Sequence, residues 1–147
     1  MRVIAVCDTD PARTEAAAAD YPGIATYNDL ASMLKNKDID NVVNILPHNL
    51  HHPVSMECLK AGKGVVLEKP MCITTDQATE MIELAKKKKV LLTVFHNRRH
   101  DGDYKAVKEF IKKGMIGDVF RIEAFMGGWG HPGHWWRTSK EISGGCM

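Results

Sequence analysis

Met1-Arg-Val-Ile-Ala-Val-Cys-Asp8 is a short apolar run that closes on a carboxylate, and Asp10-Pro11 opens a helix immediately after it. Val3–Cys7 shows no polar alternation, so both of its faces expect cover, as in a parallel sheet between helices. Such a run ordinarily follows a Gly-rich turn and its helix. Here it stands at the start, and it reads as the second strand of its sheet.

The same alternation continues outward. Asp10 is a candidate N-cap with Pro11 at the first helical position, and an Ala-rich helix runs to about Ala19 before Tyr21-Pro22-Gly23 breaks it. Asn28 or Asp29 starts a short helix over Leu30–Leu34. Asn41–Leu46 is a continuous apolar strand ended by Pro47. Pro53 is expected to begin the next helix, with Gly62 just past its end, which would leave His51 and His52 in a turn.

Val65–Leu67 is strand again and terminates in Glu68-Lys69-Pro70. Thr74 and Gln77 have capping-box spacing, and their helix carries Ala78, Met81, Ile82 and Ala85 on one face. Lys86–Lys89 then suit the negative end of the helix dipole. Val90–Phe95 is a strand followed by His96-Asn97-Arg98-Arg99-His100. A helix spans about Asp103 to Lys113, and Val119–Met126 alternates as a half-buried strand before a Gly/His/Trp-rich loop. Strands separated by helices imply right-handed crossovers and a doubly wound α/β domain, whose ligands sit beyond the carboxyl ends of the strands.

Composition narrows the function. A formal charge of +2 over 147 residues gives no electrostatic footprint for nucleic acid or a membrane surface. No apolar stretch approaches the ~20 residues of a membrane span. Cys7, Cys58, Cys72 and Cys146 are widely spaced without a Cys-x-x-Cys pair, which fits reduced thiols in a cytoplasmic protein.

The chemistry concentrates where the strands end. Asp8 is placed to accept hydrogen bonds from both hydroxyls of an adenosine ribose and to repel a 2′-phosphate, favouring NAD over NADP; Arg13 softens that preference. The competing role for Asp8, capping the next helix, is better filled by Asp10. Glu68-Lys69-Pro70 is the most specific signal. A lysine desolvated at the mouth of a parallel sheet moves toward a useful acid–base range, Glu68 steadies the ammonium, and Pro70 stiffens the turn. His48, His51 and His52 cluster after one strand, with His96/His100 and His131/His134 as further pairs. Their spacing argues for polar lining of a pocket ahead of a metal site, so no metal is assigned. Gly127–Arg137 offers aromatic faces beside a cation, which suits either a core or a polyhydroxylated ligand.

In this order these residues resemble the Gfo/Idh/MocA family of oxidoreductases. The resemblance rests on Val-Cys-Asp8, Pro47-His48-Asn49-Leu50-His51, Ala61-Gly62-Lys63, Glu68-Lys69-Pro70-Met71 and His96-Asn97-Arg98-Arg99. Lys113-Gly114-Met115-Ile116-Gly117, Trp135-Trp136-Arg137 and Ser143-Gly144-Gly145 extend it. It implies a nicotinamide-binding Rossmann domain over residues 1–97 and the beginning of an α/β substrate and oligomerisation domain over 98–147. It also implies hydride transfer at a sugar or cyclitol hydroxyl. By that resemblance Lys69 contacts the reacting hydroxyl and takes part in proton transfer, and Asp8 holds the adenine ribose. Pro47, His48 and His51 line the nicotinamide side, Glu68 contacts the nicotinamide ribose, and Arg98 and Trp136 shape the substrate pocket. Complete members are expected to be homo-oligomers.

Two family features are missing from their expected places: the Gly-x-Gly-x-x-Gly turn ahead of the first helix, and an Asp-x-x-x-His segment after the Gly-rich stretch. Strand order 3-2-1-4-5-6 then leaves a central gap in the sheet. The expectation is a fragment with weak NAD binding and little turnover of its own. A non-catalytic Rossmann-like binding module is the alternative, and a histidine-based metal protein stands third.

Overall fold

A computed structural model describes residues 2–131 and 133–145. Strand β1 (Ala5–Cys7) leads into helix α1 (Pro11–Asp20), whose N-cap Asp10 accepts from the Ala12 N–H, with Pro11 supplying a preset φ. Next come β2 (Ala25–Tyr27) and α2 (Leu30–Leu34), capped by Asp29 through the Ser32 N–H. After these, β3 (Asn41–Asn44), α3 (His48–Lys60), β4 (Gly64–Leu67), α4 (Thr75–Lys88) and β5 (Leu92–Val94) alternate as expected. A 3-10 turn (Asn97–His100), α5 (Gly102–Lys112), a second 3-10 turn (Trp136–Thr138) and α6 (Lys140–Ser143) complete the order.

All strand pairs are parallel, but they form two ladders. β1 pairs β2, with Ala5 opposite Ala25; β3, β4 and β5 form the other, with Val42 opposite Val65 and Val65 opposite Leu92. Among the described residues no ladder bond joins β1 to β3. The described strands thus make two separate parallel sheets.

The core sits between β4 and the two helices flanking it in sequence. Cys58 and Leu59 from α3, Val65 and Leu67 from β4, and Met81 and Ala85 from α4 are buried together. Each fully buried Leu, Val or Met contributes ~1.5–3 kcal/mol. The capping box of Thr74 and Gln77 is fully formed. Gly62 takes φ +77° just beyond α3, and its N–H reaches the Leu59 carbonyl at 3.0 Å. Ile82 turns outward, and Leu84 packs against the core in its place.

Two expectations fail, and one strand was not expected: β2 carries no sequence pattern long enough to declare it. Pro53 lies inside α3, not at its start, so His51 and His52 are helical. In the second turn a proline removes only the bond to the Asn49 carbonyl, and Pro47 has already set the entry to the helix. Val119–Met126 forms no strand: Phe120 is 98% and Phe125 90% exposed, because no neighbouring strand among the described residues completes its backbone hydrogen bonds.

Candidate functional site

The register of β3 against β4 builds the site. Asn44 lies opposite Leu67, and the Glu68 N–H continues the ladder to the Asn44 carbonyl at 3.0 Å. Ile45-Leu46-Pro47 and Glu68-Lys69-Pro70 therefore leave the sheet side by side. Helix α3 starts at once behind the first of these turns, placing His48 and His51 over both.

His51 is only 1% exposed, and its ring spans the two turns. Nδ1 lies 2.7 Å from the Pro70 carbonyl oxygen and Nε2 lies 2.8 Å from that of Leu46. Both oxygens are acceptors, so both bonds form together only when each ring nitrogen carries a proton. Behind it, buried Asn44 donates to the His51 carbonyl at 3.2 Å and to Ser55 Oγ at 3.1 Å. His48 Nδ1 donates to the Ser143 carbonyl at 3.0 Å, which ties α3 to α6. Its ring meets Trp136 edge-on at 4.7 Å between centroids.

A cleft of about 290 Å³ opens between these groups, lined by Ile45, Leu46, His48, His51, Glu68, Lys69, Trp136 and Arg137. Lys69 Nζ stands 3.9 Å from Glu68 Oε2. The Lys69 side chain is 53% exposed, so the protein's own walls do not supply the expected desolvation; the turn projects it outward. The Arg137 guanidinium lies over both Trp135 and Trp136 as a cation–π contact, its carbon 4.5 and 4.2 Å from their centroids.

Of the residues expected at the site, His48, His51, Glu68, Lys69 and Trp136 converge on this cleft. Pro47 caps α3 between two of its lining residues, Leu46 and His48. Asp8 does not line it. It sits past β1, where its Oδ1 accepts from the Asp10 N–H at 2.9 Å and its Oδ2 faces Arg13 Nη1 at 3.4 Å. Those contacts leave carboxylate lone pairs open. Arg98 also lies outside the cleft: it donates to Asp101 at 2.9 Å, because a guanidinium three residues before a carboxylate finds it locally.

Sequence reasoning offered Arg137 as a cation beside aromatic faces without placing it at this cleft, and it passed over the Ser143 carbonyl as the anchor of His48. Trp135-Trp136-Arg137 signalled the first; a backbone carbonyl carries no side-chain signal. A second hollow, also about 290 Å³, involves His96, Arg99 and His100 beside β5. His52 pairs with Glu80 at 2.9 Å, and the described residues contain no cluster of three His, Cys, Asp or Glu groups suited to a metal ion. Gly128-x-Gly130-x-x-Gly133 has the spacing of a dinucleotide turn but follows no strand and leads into a 3-10 turn, so it lacks the strand–turn–helix context. Burial pushes the Cys58 thiol up to about 11. No helix among the described residues is long and apolar enough to cross a membrane.

A parallel α/β fold with its cleft beyond adjacent strand ends is the layout in which open α/β sheets hold their ligands. Residues 1–96 match the Gfo/Idh/MocA family profile, described as an oxidoreductase family with an NAD-binding Rossmann fold, and the chain belongs to that family. It is 36% identical over 107 residues to scyllo-inositol 2-dehydrogenase (NADP(+)) IolW of Bacillus subtilis, covering 73% of this chain and 30% of that protein. It is 32% identical over 147 residues to D-glucoside 3-dehydrogenase of Escherichia coli, covering 99% of this chain and 42% of that protein. The solved structure of an NAD-binding protein from Listeria innocua superposes with a TM-score of 0.86 at 32% identity, covering 96% of this chain and 41% of that one. The chain thus spans well under half the length of these relatives.

Proposed function

We propose that this chain supplies the nicotinamide-side half of an oxidoreductase acting on a sugar or cyclitol hydroxyl, with NAD preferred to NADP. The observation that carries the reading is the convergence of His48, Glu68, Lys69 and Trp136 on one cleft beyond β3 and β4. The named substrates of the inositol and glucoside dehydrogenases support the substrate class.

The residues fit a nicotinamide nucleotide at two places: Glu68 offers a carboxylate to ribose hydroxyls at the cleft, and Asp8 offers another beyond β1. Once bound, the cofactor supplies a hydride acceptor or donor. Lys69 Nζ holds the reacting oxygen and relays its proton, and Glu68, 3.9 Å away, steadies the ammonium. His48 is fixed by Ser143 with its proton on Nδ1, which leaves Nε2 as an acceptor for a cleft hydroxyl. Trp136 provides the apolar face that a sugar ring stacks on. Residues 1–97 form the cofactor domain and 98–147 begin the substrate domain.

The test is a panel of aldoses, glycosides and inositols incubated with the full-length protein and NAD or NADP, following the reduced nucleotide by absorbance. Turnover on a polyol with NAD ahead of NADP is expected. Absence of both turnover and saturable NADH binding overturns the proposal.

A second reading, a non-catalytic binding module, draws on the split between the β1–β2 and β3–β5 ladders. A module of this kind binds without turnover, and it predicts tight NADH binding with no activity on any member of the panel.

A further inference from the structure

Arg137 is the cleft group that the proposed chemistry leaves without work. Its guanidinium carbon lies 4.5 Å from the Trp135 ring centroid and 4.2 Å from that of Trp136. Two ring faces hold the cation without pairing its N–H donors as a carboxylate would, so the fork of donors keeps its capacity for an anion. No Asp or Glu oxygen lies within salt-bridge distance of it among the described residues. The carboxylate that lines the cleft, Glu68, is nearest to Lys69. The cleft therefore presents two cations against one carboxylate, and one of those cations is held in place by two aromatic rings.

We infer that Arg137 selects a substrate bearing an anionic substituent, a carboxylate or a phosphate, on a polyhydroxylated ring. A planar fork lining a cleft matches the two oxygens of such a group by paired, charge-assisted hydrogen bonds. Arg137 lines the same cleft as Lys69, so the anion sits on the substrate beside the reacting hydroxyl end and not on a separate ligand. The inference rests on the cleft being the substrate site.

The experiment titrates the full-length protein with neutral hexoses and inositols, with the matching uronates, and with the matching sugar phosphates, reading tryptophan emission. At least one anionic ligand is expected to bind about tenfold or more tighter than its neutral counterpart. Arg137→Met should abolish that preference, and Arg137→Lys should retain part of it, since the charge survives and the fork does not. The uronate and phosphate arms separate the two anion sources. Affinities within about threefold across all pairs, a preference that survives Arg137→Met, or no saturable binding of any sugar each overturn the inference. Hydride transfer with Lys69→Met, measured on the same preparations, reports on the dehydrogenase reading independently of the anion preference.

Discussion

The imidazole of His51 lies 2.7 Å from the carbonyl oxygen of Pro70, so helix α3 and the turn carrying Lys69 are joined inside the protein. The other ring nitrogen reaches Leu46, on the neighbouring turn. One buried side chain therefore sets the distance between the two walls of the cleft.

Replacing His51 with Asn leaves at least one of those carbonyls without a partner. A buried acceptor left unsatisfied costs ~1–3 kcal/mol, and a void adds to it, so His51→Asn should lower stability by about 2–4 kcal/mol. Denaturant midpoints measure this, and a midpoint equal to that of the parent protein removes the bridging role.

Asp8 and Arg13 face each other across 3.4 Å at the end of β1. Exchanging Asp8 for Ser removes the charge that repels a 2′-phosphate and frees Arg13 to meet one. The affinity ratio should move toward NADPH by about tenfold. Direct titration with both nucleotides reads this, and an unchanged ratio takes Asp8 out of ribose recognition.

Burial raises the Cys58 thiol from 9.0 to about 11. The folded state thus keeps the proton after the unfolded chain has lost it. The contribution to stability is full below pH 9.0 and is lost as pH rises toward about 11. Parallel denaturation series for the parent and Cys58→Ala isolate this slope. Equal slopes in the two proteins would show that Cys58 is solvated when folded.

Much of this arrangement was legible from residues alone because local rules govern it. Asp10-Pro11, Asp29, Thr74/Gln77 and Gly62 each satisfy helix-end groups by nearest-neighbour chemistry, and the structure keeps all four. Glu68-Lys69-Pro70 was readable because a buried strand must end in a polar turn.

What escaped depends on partners distant in sequence. Three residues, Ala25–Tyr27, are strand only because β1 lies beside them. Val119–Met126 has the alternation of a strand and no neighbour among the described residues to pair with. The double contact of His51 joins positions 46, 51 and 70, and no sequence period connects those.

The gathering of Lys69, Glu68 and His48 at one cleft carries the functional reading, in which Lys69 is proposed to relay the proton of the reacting hydroxyl. The most direct measurement is hydride transfer by Lys69→Met in the full-length protein, beside its NADH affinity. Turnover should fall by about a hundredfold or more while NADH binds within about threefold of the parent. Turnover equal to the parent's, with NADH bound equally well, contradicts it.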